Sequence, residues 1–285
     1  MKQFGVIGHP IAHSLSPLMH NSAFAVLGLD CRYEAIDVTF ESLRTAFQEF
    51  KDRGFSGLNV TLPHKERIMG LVDDVVAEAK AIGAVNTVVH RDARLVGYNT
   101  DAEGFAKALE PVRASIAGST VLLLGAGGAA RAAAFALLDG FFPERLIIAN
   151  RSRWRAEDLA ARCEAFGTST NVEVEGIAEE ELRRAVETSR LIVNSTSLGM
   201  VPKADAPPLT GRIPFHADQI AVDLVYTPLE TTFLKQAGGA GARTISGLEM
   251  FLYQGARSFE LWTGQQMPLD KVRPIIEREL RKQTT

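Results

Sequence analysis

Two rhythms of apolar residues run along the chain. Short apolar runs at 4–8, 33–38, 57–61, 120–124, 146–149, 191–193 and 221–224 predict strands, and 85–89 with 95–98 predict a strand pair joined by the polar Arg91-Asp92-Ala93-Arg94. Between them apolar residues recur every three or four positions, the period of an amphipathic helix. Ser16-Pro17 opens the first such stretch, with Leu18, Ser22, Ala23, Val26 and Leu27 on its inner face and Gly28 placed for a left-handed C-cap. Leu43, Ala46, Phe47 and Phe50 form a second, and Pro63 starts a third. Further helices are expected from about 102, after the glycines at 125–128, over 248–262 and over 271–280. Strand and helix in alternation predict an α/β fold with parallel sheets and crossover helices.

At 285 residues the chain is long enough for two compact domains, and boundaries near 102 and 247 divide it into 1–101 plus 248–285 and 102–247. Its 46% hydrophobic and 23% charged residues are ordinary for a globular protein. A net charge of −3 gives no reason to expect nucleic acid or an anionic membrane as partner. No apolar run approaches the roughly 20 residues that span a bilayer. The N-terminus enters a strand without a signal-peptide pattern, and Cys31 and Cys163 are too few for a disulfide framework, so a cytoplasmic location is expected. The six histidines show no metal-ligand spacing, so no metal is expected.

Gly125-Ala126-Gly127-Gly128-Ala129-Ala130 follows an apolar strand and precedes a helical stretch. In that setting Gly125 permits a tight turn, Gly127 lets the backbone approach a phosphate, and small residues let the helix pack on the strand. The helix N-terminus then offers free amides to a pyrophosphate. A cofactor with a free ribose hydroxyl is usually met by an acid about 20 residues further on. Asn150-Arg151-Ser152-Arg153-Trp154-Arg155 stands there instead, and guanidinium groups bind a 2′-phosphate that an acid would repel. NADP is therefore expected in preference to NAD.

Asn59-Val60-Thr61-Leu62-Pro63-His64-Lys65 ends an apolar strand, and alternation puts Asn59 and Thr61 on one side. Lys65 is just past that strand, and Asp101 just past another; strand C-termini are where α/β folds place ligands. An ammonium and a carboxylate sharing a site with a hydroxyl can move its proton during hydride transfer. Taken alone, Asp101 also fits a capping box, Thr100-Asp101-Ala102-Glu103. Ser14 and Ser16 suit either a helix cap or a carboxylate receptor. His64 reads as a structural neighbour of Lys65.

These segments, with Met19-His20-Asn21, Gly83-Ala84-Val85-Asn86-Thr87, Gly97-Tyr98-Asn99-Thr100-Asp101, 194–200, 223–228 and 247–254, resemble the shikimate dehydrogenases almost end to end. The resemblance implies an N-terminal substrate-binding and catalytic domain completed by the C-terminal helices, and a Rossmann-like NADP domain, flanking a cleft. It implies that Ser14, Ser16 and Tyr226 hold a substrate carboxylate, that Asn59, Thr61, Asn86 and Gln254 bind hydroxyls, and that Lys65 and Asp101 surround the reacting C3 oxygen. On the cofactor side it implies Gly125, Ala126, Gly127, Gly128, Ala129, Asn150, Arg151, Ser152 and Arg155, with Leu224 and Gly247 at the nicotinamide end. The reaction implied is reversible reduction of 3-dehydroshikimate to shikimate by NADPH, in a monomer or homodimer. Ser16, where quinate-oxidising relatives tend to carry threonine, favours shikimate over quinate. The rivals are a quinate/shikimate enzyme of broader specificity and a non-catalytic binding protein of the same fold.

Overall fold

The computed structural model describes residues 1–201, 204–209 and 213–284. The chain forms two compact units, Met1–Glu103 with Leu252–Glu279, and Gly104–Phe251 with Leu280–Thr285.

The first unit runs β1 (Lys2–Gly8), α1 (Ser16–Leu27), β2 (Cys31–Asp37), α2 (Leu43–Asp52), β3 (Gly57–Val60), β4 (Asp74–Val75), α3 (Ala77–Ile82), β5 (Thr87–Arg91) and β6 (Arg94–Tyr98), and ends in the first turn of α4 (Asp101–Leu109). The strand order is β2-β1-β3-β5-β6-β4. Its sheet is mixed rather than parallel: β1 lies parallel to β2 and β3, while β5 is antiparallel to β3 and β6. The hairpin at Asp92-Ala93 is the reason. Both residues have positive φ (50° and 60°), the geometry of a two-residue hairpin turn, and strands so joined are antiparallel.

One face of this sheet buries Ile7, Phe47, Phe50, Phe55, Leu58 and Val60. Aromatic contacts join Phe4, His20, Phe24 and Tyr33 to Phe259 and Trp262. Trp262 Nε1 donates to the Val88 carbonyl at 3.0 Å, and its indole covers Gly57 so closely that no Cβ fits there.

Two local expectations change. No α-helix starts at Pro63; a turn closed by His64 N–H to Thr61 O at 2.9 Å intervenes, followed by one 3-10 turn at Arg67–Gly70. Ser16 is the first residue of α1 rather than its cap, and it donates its amide to Ser14 Oγ at 3.3 Å. Gly28 does close α1 in the left-handed region, at φ 65°.

The second unit continues with α5 (Arg113–Ile116), β7 (Thr120–Leu124), α6 (Gly128–Gly140), β8 (Arg145–Ala149), α7 (Arg153–Ala165), β9 (Asn171–Glu175), α8 (Glu179–Thr188), β10 (Leu191–Asn194), β11 (Ile220–Asp223), α9 (Thr232–Gly239) and β12 (Arg243–Ile245). Helix α10 (Gly247–Thr263) carries the chain back to the first unit, and α11 (Leu269–Thr284) ends the described chain. All six strands are parallel, in the order β12-β11-β10-β7-β8-β9. Counted from β7 this is 3-2-1-4-5-6, the doubly wound dinucleotide-binding order, whose reversal between β7 and β10 opens a crevice at the strand C-termini. Leu122, Ile147, Val186, Ile192, Ala221 and Phe233 belong to its core. Among the described residues no helix is long and apolar enough to cross a membrane, and no group of three or more His, Cys, Asp or Glu is placed to hold a metal.

Candidate active site

In the first unit the strand ends bring an ammonium to a carboxylate. Lys65 Nζ lies 2.5 Å from Asp101 Oδ2, with side chains only 13% and 5% exposed. The other carboxylate oxygen accepts from Asn86 Nδ2 at 2.8 Å. Asp101 is thus held by two donors, one of them charged. The first amides of α4 are capped by Asn99, whose Oδ1 accepts from Asp101 N at 3.0 Å and Ala102 N at 3.3 Å. Asn99 thereby does the capping that the Thr100-Asp101-Ala102-Glu103 alternative gave to Thr100. Thr100 is left with its hydroxyl turned into the protein, and Asp101 with its carboxylate on Lys65.

Asn59 is held by internal partners. Its Oδ1 accepts from Tyr33 Oη at 2.7 Å, and its Nδ2 lies within 3.0–3.2 Å of Ser258 Oγ, Thr87 Oγ1 and the Asn86 carbonyl. The carboxamide has two hydrogens to give, and internal acceptors take both, so Asn59 frames the site from behind. Tyr33 is itself stacked on His20, ring centroids 4.4 Å apart. Burial lowers the His20 pKa to about 3, so the ring is neutral and serves as aromatic packing. His64 is buried and bound to the Val38 carbonyl at 2.6 Å, a structural role as expected.

Ser14 is half-buried and Ser16 buried, at the start of the 12-residue α1. Ser14 Oγ accepts one amide, which leaves its proton to donate. Thr61, half-buried, turns its methyl onto Gly8, too close for any side chain there. Gln254 is half-buried on α10, one turn before Ser258.

The second unit supplies the anion cradle. Gly125 has φ 108°, and a Cβ there would lie 2.6 Å from Ser195 Oγ, so the turn out of β7 requires glycine. Gly127, the N-cap of α6, faces open space, and no side chain caps the helix. The first amides of a 13-residue helix are therefore unclaimed beside a surface that only glycine leaves bare, which fits a pyrophosphate.

After β8, Asn150 Nδ2 ties to the Ser152 carbonyl at 2.9 Å, and Arg151 is exposed. Arg153 pairs with Glu157 at 2.9 Å, and the Arg155 guanidinium lies 5.3 Å from the Trp154 ring centroid. Among the described residues Arg151 and Arg155 have no carboxylate partner, and 150–155 contains no acid. Leu224 and Gly247 meet as backbone: a Cβ on Gly247 would be 2.5 Å from the Leu224 oxygen. Tyr226 stacks on Phe251 at 4.5 Å.

Sequence reasoning missed Thr87, Thr100 and Ser258, which converge behind Asn86. It also missed Asp223, which joins the ends of β10 and β11 through Asn194 at 2.9 Å. The only sequence signal for these was their adjacency to residues already singled out.

Comparison with known proteins identifies the family. Residues 6–88 match the family model of the shikimate dehydrogenase substrate binding domain, 106–201 that of shikimate / quinate 5-dehydrogenase, and 247–277 that of the shikimate 5′-dehydrogenase C-terminal domain. The shikimate dehydrogenase (NADP(+)) of Symbiobacterium thermophilum is 46% identical over 272 residues, covering 94% of this chain and 91% of its own. That of Methanopyrus kandleri is 45% identical over 279 residues, covering 97% and 95%. The shikimate 5-dehydrogenase of Thermus thermophilus, solved in complex with NADP(H) and shikimate, superposes with a TM-score of 0.83 at 41% identity, over 98% of this chain and 99% of that one. The chain belongs to the shikimate dehydrogenase family.

Proposed function

We propose that this protein is an NADP-dependent shikimate dehydrogenase, reversibly reducing 3-dehydroshikimate to shikimate for aromatic amino-acid biosynthesis. The observation that carries the reading is the shielded Lys65–Asp101 contact at 2.5 Å, an acid and its counter-ion kept together at the ends of apolar strands. NADPH, when bound, supplies the hydride. Lys65 has three donors and gives one to Asp101; another delivers the proton to the C3 oxygen in reduction and recovers it in oxidation. Asp101 orients that ammonium and accepts from a substrate hydroxyl. Ser14, Ser16 and Tyr226 take the carboxylate, Thr61 and Gln254 the ring hydroxyls, and Asn86 Nδ2, its two hydrogens on Asp101 Oδ1 and Thr100 Oγ1, holds Asp101 toward them. Asn59 keeps Asn86 and Thr87 in place. The small Ser16 side chain favours shikimate over quinate by about 1–3 kcal/mol, the worth of one methyl group in a pocket.

Arg151 and Arg155 hold the 2′-phosphate, and the amides of α6 the pyrophosphate. The test is the purified protein with shikimate or quinate crossed against NADP or NAD, followed by reduced-cofactor absorbance. Shikimate with NADP should dominate. Lys65→Ala should lower kcat by about 10²–10⁴-fold, the range of a lost general acid–base group. A Lys65→Ala enzyme with near-normal turnover would refute the proton assignment, and a wild-type protein silent in all four combinations would leave only a binding role.

A further inference from the structure

We infer that the Thr87 hydroxyl is a positioning group for this reaction: it fixes the Asn86 carboxamide that holds Asp101 beside Lys65. The inference rests on the function proposed above and adds a residue to it.

Behind Asn86 lies a cluster of hydroxyls shut off from water: Thr87 and Ser258 are 0% exposed and Thr100 1%. The orientation of Asn86 follows from one contact. The Thr100 backbone N–H can only donate, and it is 2.7 Å from Asn86 Oδ1, so the amide oxygen faces Thr100 and the NH2 faces Asp101 Oδ1 at 2.8 Å and Thr100 Oγ1 at 2.9 Å. Thr87 Oγ1 donates to the same amide oxygen at 3.0 Å. Its direction is set from the far side. Asn59 Nδ2, a pure donor 3.1 Å away, occupies a lone pair of Thr87, and Ser258 Oγ approaches it at 2.7 Å. The Thr87 proton goes to Asn86 when Ser258 Oγ gives its own proton to Thr87 rather than to the Gln254 carbonyl 3.1 Å away. Donors converging on one carbonyl oxygen, Thr100 N at 2.7 Å, Thr87 Oγ1 at 3.0 Å and Thr100 Oγ1 at 3.2 Å, fix the flip of the amide, with Asp101 Oδ1 2.8 Å from its nitrogen. Thr87 touches neither Lys65 nor Asp101 by hydrogen bond; its action passes through Asn86.

A cluster that only satisfied buried polar atoms would affect stability alone. A positioning role predicts that Thr87→Val, which keeps the shape and deletes the hydroxyl, lowers kcat on the order of 10–100-fold, the cost of small misplacements at a reacting centre. The KM values for shikimate and NADP should move by less than about threefold, the split expected when the loss falls on the transition state. Thr87→Ser, which keeps the hydroxyl, should return kcat to within about threefold of wild type on the same criterion. Thermal melts accompany each variant. If Thr87→Val does not fold, Thr87→Ala against Thr87→Ser gives the same comparison. Wild-type kcat in the folded valine or alanine variant overturns the inference, as does equal impairment of the serine variant. Wild-type protein without shikimate activity rejects the function itself, and is seen before any variant is made.

Discussion

Asp223 is a buried carboxyl held by neutral donors. It is 0% exposed, and burial raises its pKa to about 6 against the pull of Thr231 Oγ1, the Val225 amide and Asn194 Nδ2 at 2.6, 3.0 and 2.9 Å. A carboxyl whose folded pKa exceeds its unfolded value binds its proton more tightly in the native state. Its contribution is fully present below about pH 4 and is lost as pH rises through about 6. That rise in pKa corresponds to about 3 kcal/mol. Asp223→Asn cannot titrate, so the variant should gain on wild type as pH rises from 4 to 7; denaturant titrations that stay parallel across that range would contradict this. Arg151 is governed by the opposite circumstance, an exposed cation placed for an anion. Arg151→Ala should raise KM for NADP by about 10–100-fold, the worth of a charge-assisted hydrogen bond, and leave NAD almost unchanged. Equal effects on the two cofactors would remove the 2′-phosphate assignment.

The β7–α6 turn shows how one element uses two glycines for different reasons. At Gly125 the backbone is left-handed and Ser195 Oγ leaves no room, so Gly125→Ala should destabilise the fold by about 1–3 kcal/mol. At Gly127 the backbone suits any residue and the space beyond is empty, so Gly127→Ala should melt like wild type. The added methyl then stands where the phosphate must come, and NADP affinity should fall about tenfold or more as amide hydrogen bonds are lost. Normal NADP binding by a folded Gly127→Ala protein would remove the cradle. This element was legible because its signals are local: an apolar strand, a glycine turn and a helical stretch within a short span. Strand β9 was not, since Asn171-Val172-Glu173-Val174-Glu175 offers two valines among acids at a sheet edge. The helix expected at Pro63 failed for the converse reason, a helix-starting residue used to leave a strand. The hydroxyl cluster was illegible because Thr100 lies 13 residues from Thr87 and 158 from Ser258, and ordinary threonines and serines carry no periodicity.

At the scale of the whole molecule the proposed site residues divide along the two units. Ser14, Ser16, Thr61, Lys65, Asn86, Asp101 and Gln254 belong to the first, and Gly125 to Ala129, Asn150 to Arg155, Leu224, Tyr226 and Gly247 to the second. Each unit has its own sheet and its own buried core, so each can respond to its ligand through its own hydrogen bonds. Hydrogen exchange followed by mass spectrometry reads those responses separately. NADP alone should slow exchange at the first turn of α6 and at the start of α7, where amides now unclaimed acquire an acceptor, and leave 59–65 and 86–101 unchanged. Shikimate alone should protect 59–65, 86–101 and the start of α1, together with the Tyr226 segment, the one proposed carboxylate ligand that lies in the second unit. Either ligand at 100 times its dissociation constant should also add about 2.7 kcal/mol to the stability of what it binds, which fixes the concentrations for the comparison. NADP protection confined to 59–101, or shikimate protection confined to 125–155, would reverse the assignment of ligands to units. Protection of 59–101 by shikimate without any at Tyr226 would leave the carboxylate to Ser14 and Ser16 alone.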